Sequence, residues 1–151
     1  MEKKNMTKEV LIRISGSHQM DQDNDTLELI VAGEYYFKNG KHYLIYDEVA
    51  EDDMKPVHNV VKIASDSMEI TKNGQIASKL QFDKKKKHVN CYATPYGEMM
   101  VGVDTRDIRM REEEHSLKIE VEYALELNYE HTSNCVLSMD VTSKGYASLH
   151  L

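Results

Sequence analysis

From Leu117 to Glu130, apolar and polar side chains follow one another in alternation. Because successive side chains of a β-strand point to opposite faces, this period of two predicts one long, half-buried strand. The intervening side chains are mostly acidic and would be costly to bury unpaired, so Val121, Tyr123 and Leu125 are expected to point inward. A strand of this length needs a bend or a bulge, which is typical of the coiled strands of barrels.

The same alternation recurs in shorter runs that begin at Val10, Leu27, Ile76, Met99 and Cys135. No long segment combines helical spacing with a cap and a stop. Short strands that lack long crossover connections must pair antiparallel, and closing such a sheet on itself removes its exposed edges. The sequence therefore predicts an all-β fold, a single antiparallel β-barrel of about 8–10 strands.

Two kinds of turn separate these runs. Asn39-Gly40 and Asn73-Gly74 are dipeptides that tolerate a positive φ at both central positions, so each is expected to close a tight hairpin. Thr94-Pro95-Tyr96-Gly97 fits a type I turn, because proline fixes its own φ and pushes the preceding residue into an extended conformation. The second pattern predicts a hairpin corner that carries Tyr96 at its tip.

Length and charge limit the possible classes of function. A chain of 151 residues has the size of one domain, so residues 1–151 are expected to form a single barrel domain, with residues 1–7 as a flexible N-terminal tail. The net charge of −7 argues against partners such as nucleic acid or anionic membranes. No apolar stretch approaches the ~20 residues of a membrane span, and a cytoplasmic location is expected.

Metal and catalytic motifs are absent from the sequence. The segment from Asp21 to Asp25 has the spacing of a calcium loop, but Thr26 and Ala32 occupy the positions that need glycine and glutamate. The seven histidines never fall at ligand spacing, and scattered histidines are expected on the surface. Cys91 and Cys135 are expected to be buried free thiols. We therefore expect no metal, no cofactor and no catalytic residue, and a dedicated enzyme is not favoured.

Tyrosine is frequent in this chain, with nine residues against two phenylalanines and no tryptophan. Tyr46 and Glu48 share one face of a strand, as do Tyr92, Thr94 and Tyr96 while strand geometry lasts. These five residues are predicted to form a ligand-binding cluster near a barrel opening, with Glu48 orienting the ligand. Two other interpretations stay open: an outer-face ladder of Tyr46 and Glu48, or a cluster that only fixes the corner.

The order of these features resembles the YwiB-like, DUF1934 family of small bacterial proteins. The resemblance extends from about Lys8 to Val141, and its most specific parts are Tyr43-Leu44-Ile45-Tyr46-Asp47-Glu48 and the Thr94-Pro95-Tyr96-Gly97 corner. That family is similar in fold to the calycins, the barrels that include lipocalins, which implies a lipocalin-like barrel with a small-molecule site inside it. The chain has no tryptophan and no Arg-x-Tyr near its C-terminus, which argues against classical lipid carriage.

Two functions are consistent with these observations. In the first, a cytoplasmic barrel binds a small polar or amphipathic ligand at one mouth. In the second, a barrel with a filled core works through its outer surface, as a protein-interaction module or a homodimer. A cavity favours the first and a solid core with an exposed apolar patch favours the second. The identity of a ligand and the choice between monomer and homodimer are not determined by the sequence.

Overall fold

In a computed structural model the described residues of the chain form ten β-strands. The structure describes residues 6–20, 23–49, 55–74 and 77–146, without the side chains of residues 20, 23–25, 93 and 94. The strands are β1 Glu9–Met20, β2 Asp23–Lys38, β3 Lys41–Glu48, β4 Val57–Ile63, β5 Ser67–Asn73, β6 Ser78–Asp83, β7 His88–Thr94, β8 Gly97–Glu112, β9 Ser116–Leu127 and β10 Glu130–Ser143.

All ten strands belong to one antiparallel sheet in the order β6-β5-β4-β3-β2-β1-β10-β9-β8-β7. The sheet curls into a nearly closed barrel, which confirms the predicted all-β antiparallel barrel. We call the end where the odd-numbered strands finish the upper end, and the opposite end the lower end. Within the described residues no helix is long and apolar enough to cross a membrane.

The barrel closes where its two edge strands, β6 and β7, meet. Here side chains replace a backbone ladder: the Tyr92 hydroxyl and the Asn90 amide both donate to the Lys79 carbonyl, at 2.7 and 3.1 Å. Farther down, the Asp83 backbone N–H donates to the Thr105 hydroxyl at 3.2 Å. These bonds satisfy edge groups that would otherwise be open to pairing with another chain.

The predicted hairpins form, with differences in the turns. Asn39 and Gly40 have φ values of 54° and 75°, as a tight turn of this type requires. Thr94 pairs with Gly97, so the proline corner is also a hairpin. The ladder of β5 and β6 ends at Lys72 paired with Ser78, so residues 73–77, rather than Asn73-Gly74 alone, connect these strands; residues 75 and 76 lie outside the described residues.

The long strand predicted from Leu117 to Glu130 was too long. The chain turns at Asn128 and Tyr129, whose φ values are 52° and 70°, and β10 begins at the next residue. The Asn128 side chain accepts a hydrogen bond from the Met100 N–H at 3.0 Å, and the Asn128 N–H donates to the Met100 carbonyl at 2.7 Å. These bonds hold a left-handed turn that an alternating pattern does not reveal.

The core fills the lower and middle parts of the barrel. Leu44, Val61 and Val121 are completely buried, while Tyr123 and Leu125 are partly buried and pack against the same cluster, so their predicted inward orientation is confirmed. Residues 1–5 lie outside the described residues, and Met6 packs against the core. That the whole chain is one domain with a flexible tail remains a prediction.

The wall of the barrel is incomplete between β2 and β3. Their ladder runs only from Lys38 paired with Lys41 up to Glu34 paired with Ile45, so the upper part of β2 pairs with β1 alone in the described structure. Above this point the inner side of β2 is uncovered: Leu27 is 71% exposed and Leu29 is 37% exposed. The barrel is therefore packed at its lower end and open to solvent at its upper end.

Candidate functional site

The upper end of the inner face carries an ion pair. The alternation of β3 buries His42, Leu44 and Tyr46 and therefore turns Glu48 inward. Lys72 is turned inward by the same alternation in β5, and its Nζ lies 2.9 Å from the Glu48 Oε1. The side chains of Glu48 and Lys72 are 29% and 36% exposed, so the pair is within reach of solvent. Glu48 was predicted from the sequence as a site residue, whereas its partner Lys72 was not.

Two buried polar side chains lie next to this ion pair. Tyr46 is paired with Asn59 in the ladder, and Asn59 is paired in turn with Lys72. Burial, and secondarily the Glu48 carboxylate, raise the pKa of Tyr46. Asn59 is completely buried and its Nδ2 donates to the Val57 carbonyl at 3.1 Å. Its Oδ1 has no hydrogen-bond partner within the described part of the chain.

Tyr92 has a different neighbourhood. It lies on the inward side of β7, and its hydroxyl closes the barrel by donating to the Lys79 carbonyl at 2.7 Å. Burial raises the pKa of Tyr92. This residue therefore has a structural contact at the upper end, separate from the contacts of Tyr46 and Glu48.

The remaining two predicted site residues lie at the hairpin corner. The backbone of Thr94 ends β7, but its side chain lies outside the described residues. Tyr96 is fully exposed at the tip. All five predicted residues thus belong to the upper end of the barrel. Tyr46 and Glu48 contact Asn59 and Lys72 of neighbouring strands, whereas Tyr92 and Tyr96 belong to the closing edge and its corner.

A thiol cluster, which was not predicted from the sequence, also lies at the upper end. The His18 Nδ1 lies 3.2 Å from the Cys135 Sγ, and the Ser133 Oγ lies 3.4 Å from the same sulfur. Tyr123 is paired with Cys135 in the ladder of β9 and β10, and burial followed by this neighbour raises the pKa of Tyr123. The inward period of β1 and β10 could have indicated this cluster, but only the pairing of β1 with β10 brings together residues so far apart in sequence.

The second cysteine departs from its prediction. Cys91 is exposed rather than buried, because β7 turns its neighbours Asn90 and Tyr92 toward the closing edge and leaves Cys91 on the outer face. Partial desolvation and the neighbouring Glu98 carboxylate raise the pKa of the Cys91 thiol.

A buried polar network closes the lower end of the barrel, in contrast to the upper end, which is open to solvent. His42 is buried, with its Nδ1 2.7 Å from the Tyr35 hydroxyl and its Nε2 2.6 Å from the Glu112 carboxylate. Burial, and secondarily Glu112, raise the pKa of Tyr35 to about 12. The expectation that histidines lie on the surface is therefore wrong for His42, which the period of β3 turns inward.

A cavity of about 560 Å³ lies near the upper end, and its lining includes His18, Tyr123 and Cys135 of the thiol cluster. Most of its lining residues occupy outward positions of the strands, and they include Arg106 in the bulge of β8. The residues that line it are Ser17, His18, Gln19, Thr26, Arg106, Glu122, Tyr123, Asn134, Cys135 and Val136. Its lining residues belong to β1, β2, β8, β9 and β10, whereas the Glu48–Lys72 ion pair lies on β3 and β5.

Metal ligands are not grouped in the described part of the chain: no three His, Cys, Asp or Glu side chains there come together in a way that could hold an ion. The acidic segment from Asp21 to Asp25 belongs to the side chains that the structure does not describe. Around the Glu48–Lys72 pair, the described residues offer one carboxylate, one ammonium group, and buried hydroxyl and amide groups as binding contacts.

Ten antiparallel strands in a nearly closed barrel, filled below and open above, define a small β-barrel protein with polar groups at one mouth. Residues 12–139 match the family described as Domain of unknown function (DUF1934), and the chain belongs to that family. It is 22% identical over 133 residues to the uncharacterized β-barrel protein YwiB of Bacillus subtilis (strain 168), a match that covers 87% of this chain and 92% of that protein.

The fold is similar as well. The crystal structure of the ywiB protein from Bacillus subtilis superimposes with a TM-score of 0.75 at 20% sequence identity, covering 92% of this chain and 95% of the other. The resemblance read from the Tyr-Leu-Ile-Tyr-Asp-Glu strand and the Thr-Pro-Tyr-Gly corner is confirmed.

Proposed function

We propose that the barrel binds a small polar or amphipathic molecule at its upper end, between the inner sides of β2, β3 and β5. The observation that carries this proposal is the exposure of Leu27 and Leu29 on the inner face, at 71% and 37%, while Leu44 and Val61 lower down are completely buried. Apolar side chains left in water at the same end of the barrel as an ion pair offer both kinds of contact that an amphipathic ligand needs.

In this proposal the predicted site residues have different roles. Glu48 and Lys72 orient the polar part of the ligand, and Tyr46 forms the floor beneath them. Tyr92, Thr94 and Tyr96 form the opposite rim, where Tyr96 contributes an exposed ring. A calycin-like ancestry and a cytoplasmic location belong to the same proposal, and two free thiols are typical of a reducing compartment.

A second candidate function is interaction with another protein or a second copy of the chain. The packed lower interior supports it, because a filled interior has no room for a ligand and leaves only the outer surface of the barrel for interactions. The long strands carry charged outer faces, such as the network of Arg109 with Asp107, Glu120 and Glu122. We rank it second because the inner face is exposed at the upper end.

A thermal-shift screen against a library of metabolites tests the first proposal. At least one compound should raise the melting temperature of the wild type, because a ligand that binds only the folded state stabilises it by mass action. Glu48→Gln and Tyr96→Phe should fold normally and should weaken that shift.

Glu69→Gln is the matched control. Glu69 forms an equivalent pair with Lys79 at 3.1 Å, with 30% and 49% exposure, but on the outer face. It should leave the ligand-induced shift unchanged. If no compound shifts the wild type, and Glu48→Gln and Tyr96→Phe each lower the melting temperature by several degrees, the cluster is structural and the second function takes its place.

A further inference from the structure

The Glu48–Lys72 pair crosses a strand. Glu48 belongs to β3 and Lys72 to β5, with β4 between them, yet their charged atoms lie 2.9 Å apart. The ladder places Val57 of β4 beside Glu48 and Asn59 of β4 beside Lys72. The two charged side chains therefore meet over the inner side of β4, next to the buried Asn59.

Asn59 supplies a hydrogen-bond acceptor that the described residues leave unused. Its side chain is completely buried and its Nδ2 is bonded to the Val57 carbonyl, but its Oδ1 has no partner within the described residues. A buried acceptor without a donor is unfavourable, because it has given up its hydrogen bonds to water. A ligand that carries N–H groups would satisfy it once the side chains above it move apart.

The charges around this acceptor determine which ligand fits. Glu48 and Lys72 contribute one negative and one positive charge, so the site is neutral as a whole. A ligand with only a carboxylate would pair with Lys72 but leave Glu48 beside a second negative charge. A ligand with only an ammonium group would pair with Glu48 but leave Lys72 beside a second positive charge. A ligand with both groups satisfies both residues, and no unpaired charge is desolvated.

We infer that Glu48, Lys72 and Asn59 form a subsite for a zwitterionic head group, with an ammonium group donating to Glu48 and to the Asn59 Oδ1 and a carboxylate accepting from Lys72. An apolar substituent of the same ligand lies against Leu27 and Leu29. The ligand class is thus an apolar α-amino acid or a close analogue. The inference rests on the proposed function and adds the head-group chemistry to it.

Binding of three compounds with the same branched apolar chain tests the inference. Leucine carries both charges, 3-methylbutylamine only the ammonium group, and 4-methylpentanoate only the carboxylate. Titrations of the full chain, followed by NMR, should give leucine a Kd lower by at least about tenfold than either analogue. Equal affinities for the three compounds, or no binding of leucine, would overturn the inference.

Variants give the test its specificity. Lys72→Gln should make leucine and the amine bind alike, and Glu48→Gln should make leucine and the acid bind alike. Lys79→Gln and Glu69→Gln, the outer-face pair, should preserve the preference for leucine. Asn59→Leu should bind leucine less tightly and yet be no less stable than the wild type, because it removes an unsatisfied acceptor together with its hydrogen bond to Val57.

The outcome also separates this inference from the proposed function. If leucine does not bind but a metabolite from the thermal-shift screen binds at the upper end, the zwitterion subsite is wrong and the binding function stands. If neither leucine nor any compound in the screen binds, both are wrong. If Glu69→Gln and Lys79→Gln abolish the preference for leucine over its two analogues as strongly as Glu48→Gln and Lys72→Gln do, the subsite is not at the upper end.

Discussion

The imidazole of His42 on β3 and the carboxylate of Glu112 on β8 meet at the lower end of the barrel, with 2.6 Å between Nε2 and Oε1. The other ring nitrogen of His42 lies 2.7 Å from the Tyr35 hydroxyl. This network ties opposite walls of the barrel together and closes the end that the proposed ligand does not use. It explains how a barrel with polar residues inside can be tightly packed at one end.

Tyr35→Phe should lower the free energy of unfolding by about 1–2 kcal/mol, because it removes the hydroxyl group that is hydrogen-bonded to the buried Nδ1 of His42. The adjacent Tyr36 is the matched control, since its hydroxyl contacts Glu34 on the exposed surface. Tyr36→Phe should stay within about 0.5 kcal/mol of the wild type. Urea titrations at neutral pH measure both values, and equal costs for the two variants would mean that the buried network contributes nothing.

Alkaline pH should destabilise the protein through the same tyrosine. The pKa of Tyr35 is about 12 in the folded protein, above its ordinary value of 10.0, so the folded state retains a proton that the unfolded chain releases. Stability from this group is complete below pH 10 and is lost as the pH rises toward about 12. Urea titrations at pH 8, 10 and 11 should show this decline, with a smaller loss in Tyr35→Phe. An identical decline in that variant would contradict the assignment.

Substitutions of two leucine residues on the inner face, Leu44 and Leu27, test how deeply each end of the barrel is buried. Leu44 is completely buried, so Leu44→Ala should cost about 2–5 kcal/mol in denaturant titrations. Leu27 is on the same inner side but 71% exposed, and Leu27→Ala should stay within about 0.5 kcal/mol. A large cost at Leu27 would show that the upper end is packed in solution, and it would remove the main support for a ligand site there.

The two cysteines should differ in accessibility. Cys91 lies on the outer face and Cys135 is 3% exposed beneath His18 and Ser133. A thiol reagent followed by mass spectrometry should label Cys91 in the native protein, and Cys135 only after unfolding. Labelling of Cys135 at the rate of Cys91 would mean that the upper interior opens more widely than the structure indicates.

Much of this fold could be predicted from the sequence. The alternation around Val121 gave the strand and its inward side, and Asn39-Gly40 gave a hairpin, because both signals are local. The turn at Asn128 and Tyr129 was missed because the apolar period continues through it, and its stability depends on hydrogen bonds to Met100, which is distant in sequence.

The candidate site was only partly predictable for the same reason. The two-residue period placed Tyr46 and Glu48 on one face, and the structure confirms that this face is the inner one. Lys72 and Asn59 belong to other strands, and which strands lie side by side is decided by the whole sheet. The contribution of Tyr92 to barrel closure could not be predicted from its own strand, because its partner is a backbone carbonyl of β6.

The most direct test of ligand binding at the upper end is a map of backbone amide chemical shifts in the ¹⁵N-labelled protein. The titrant is the compound with the largest thermal shift in the wild type. If the ligand binds at the upper end, the amide signals of Leu27, Leu29, Glu48 and Lys72 should shift with one common Kd, while those of Arg109 and Lys118 on the outer face should not move. Shifts confined to the outer face, or at the lower end around His42, would contradict it.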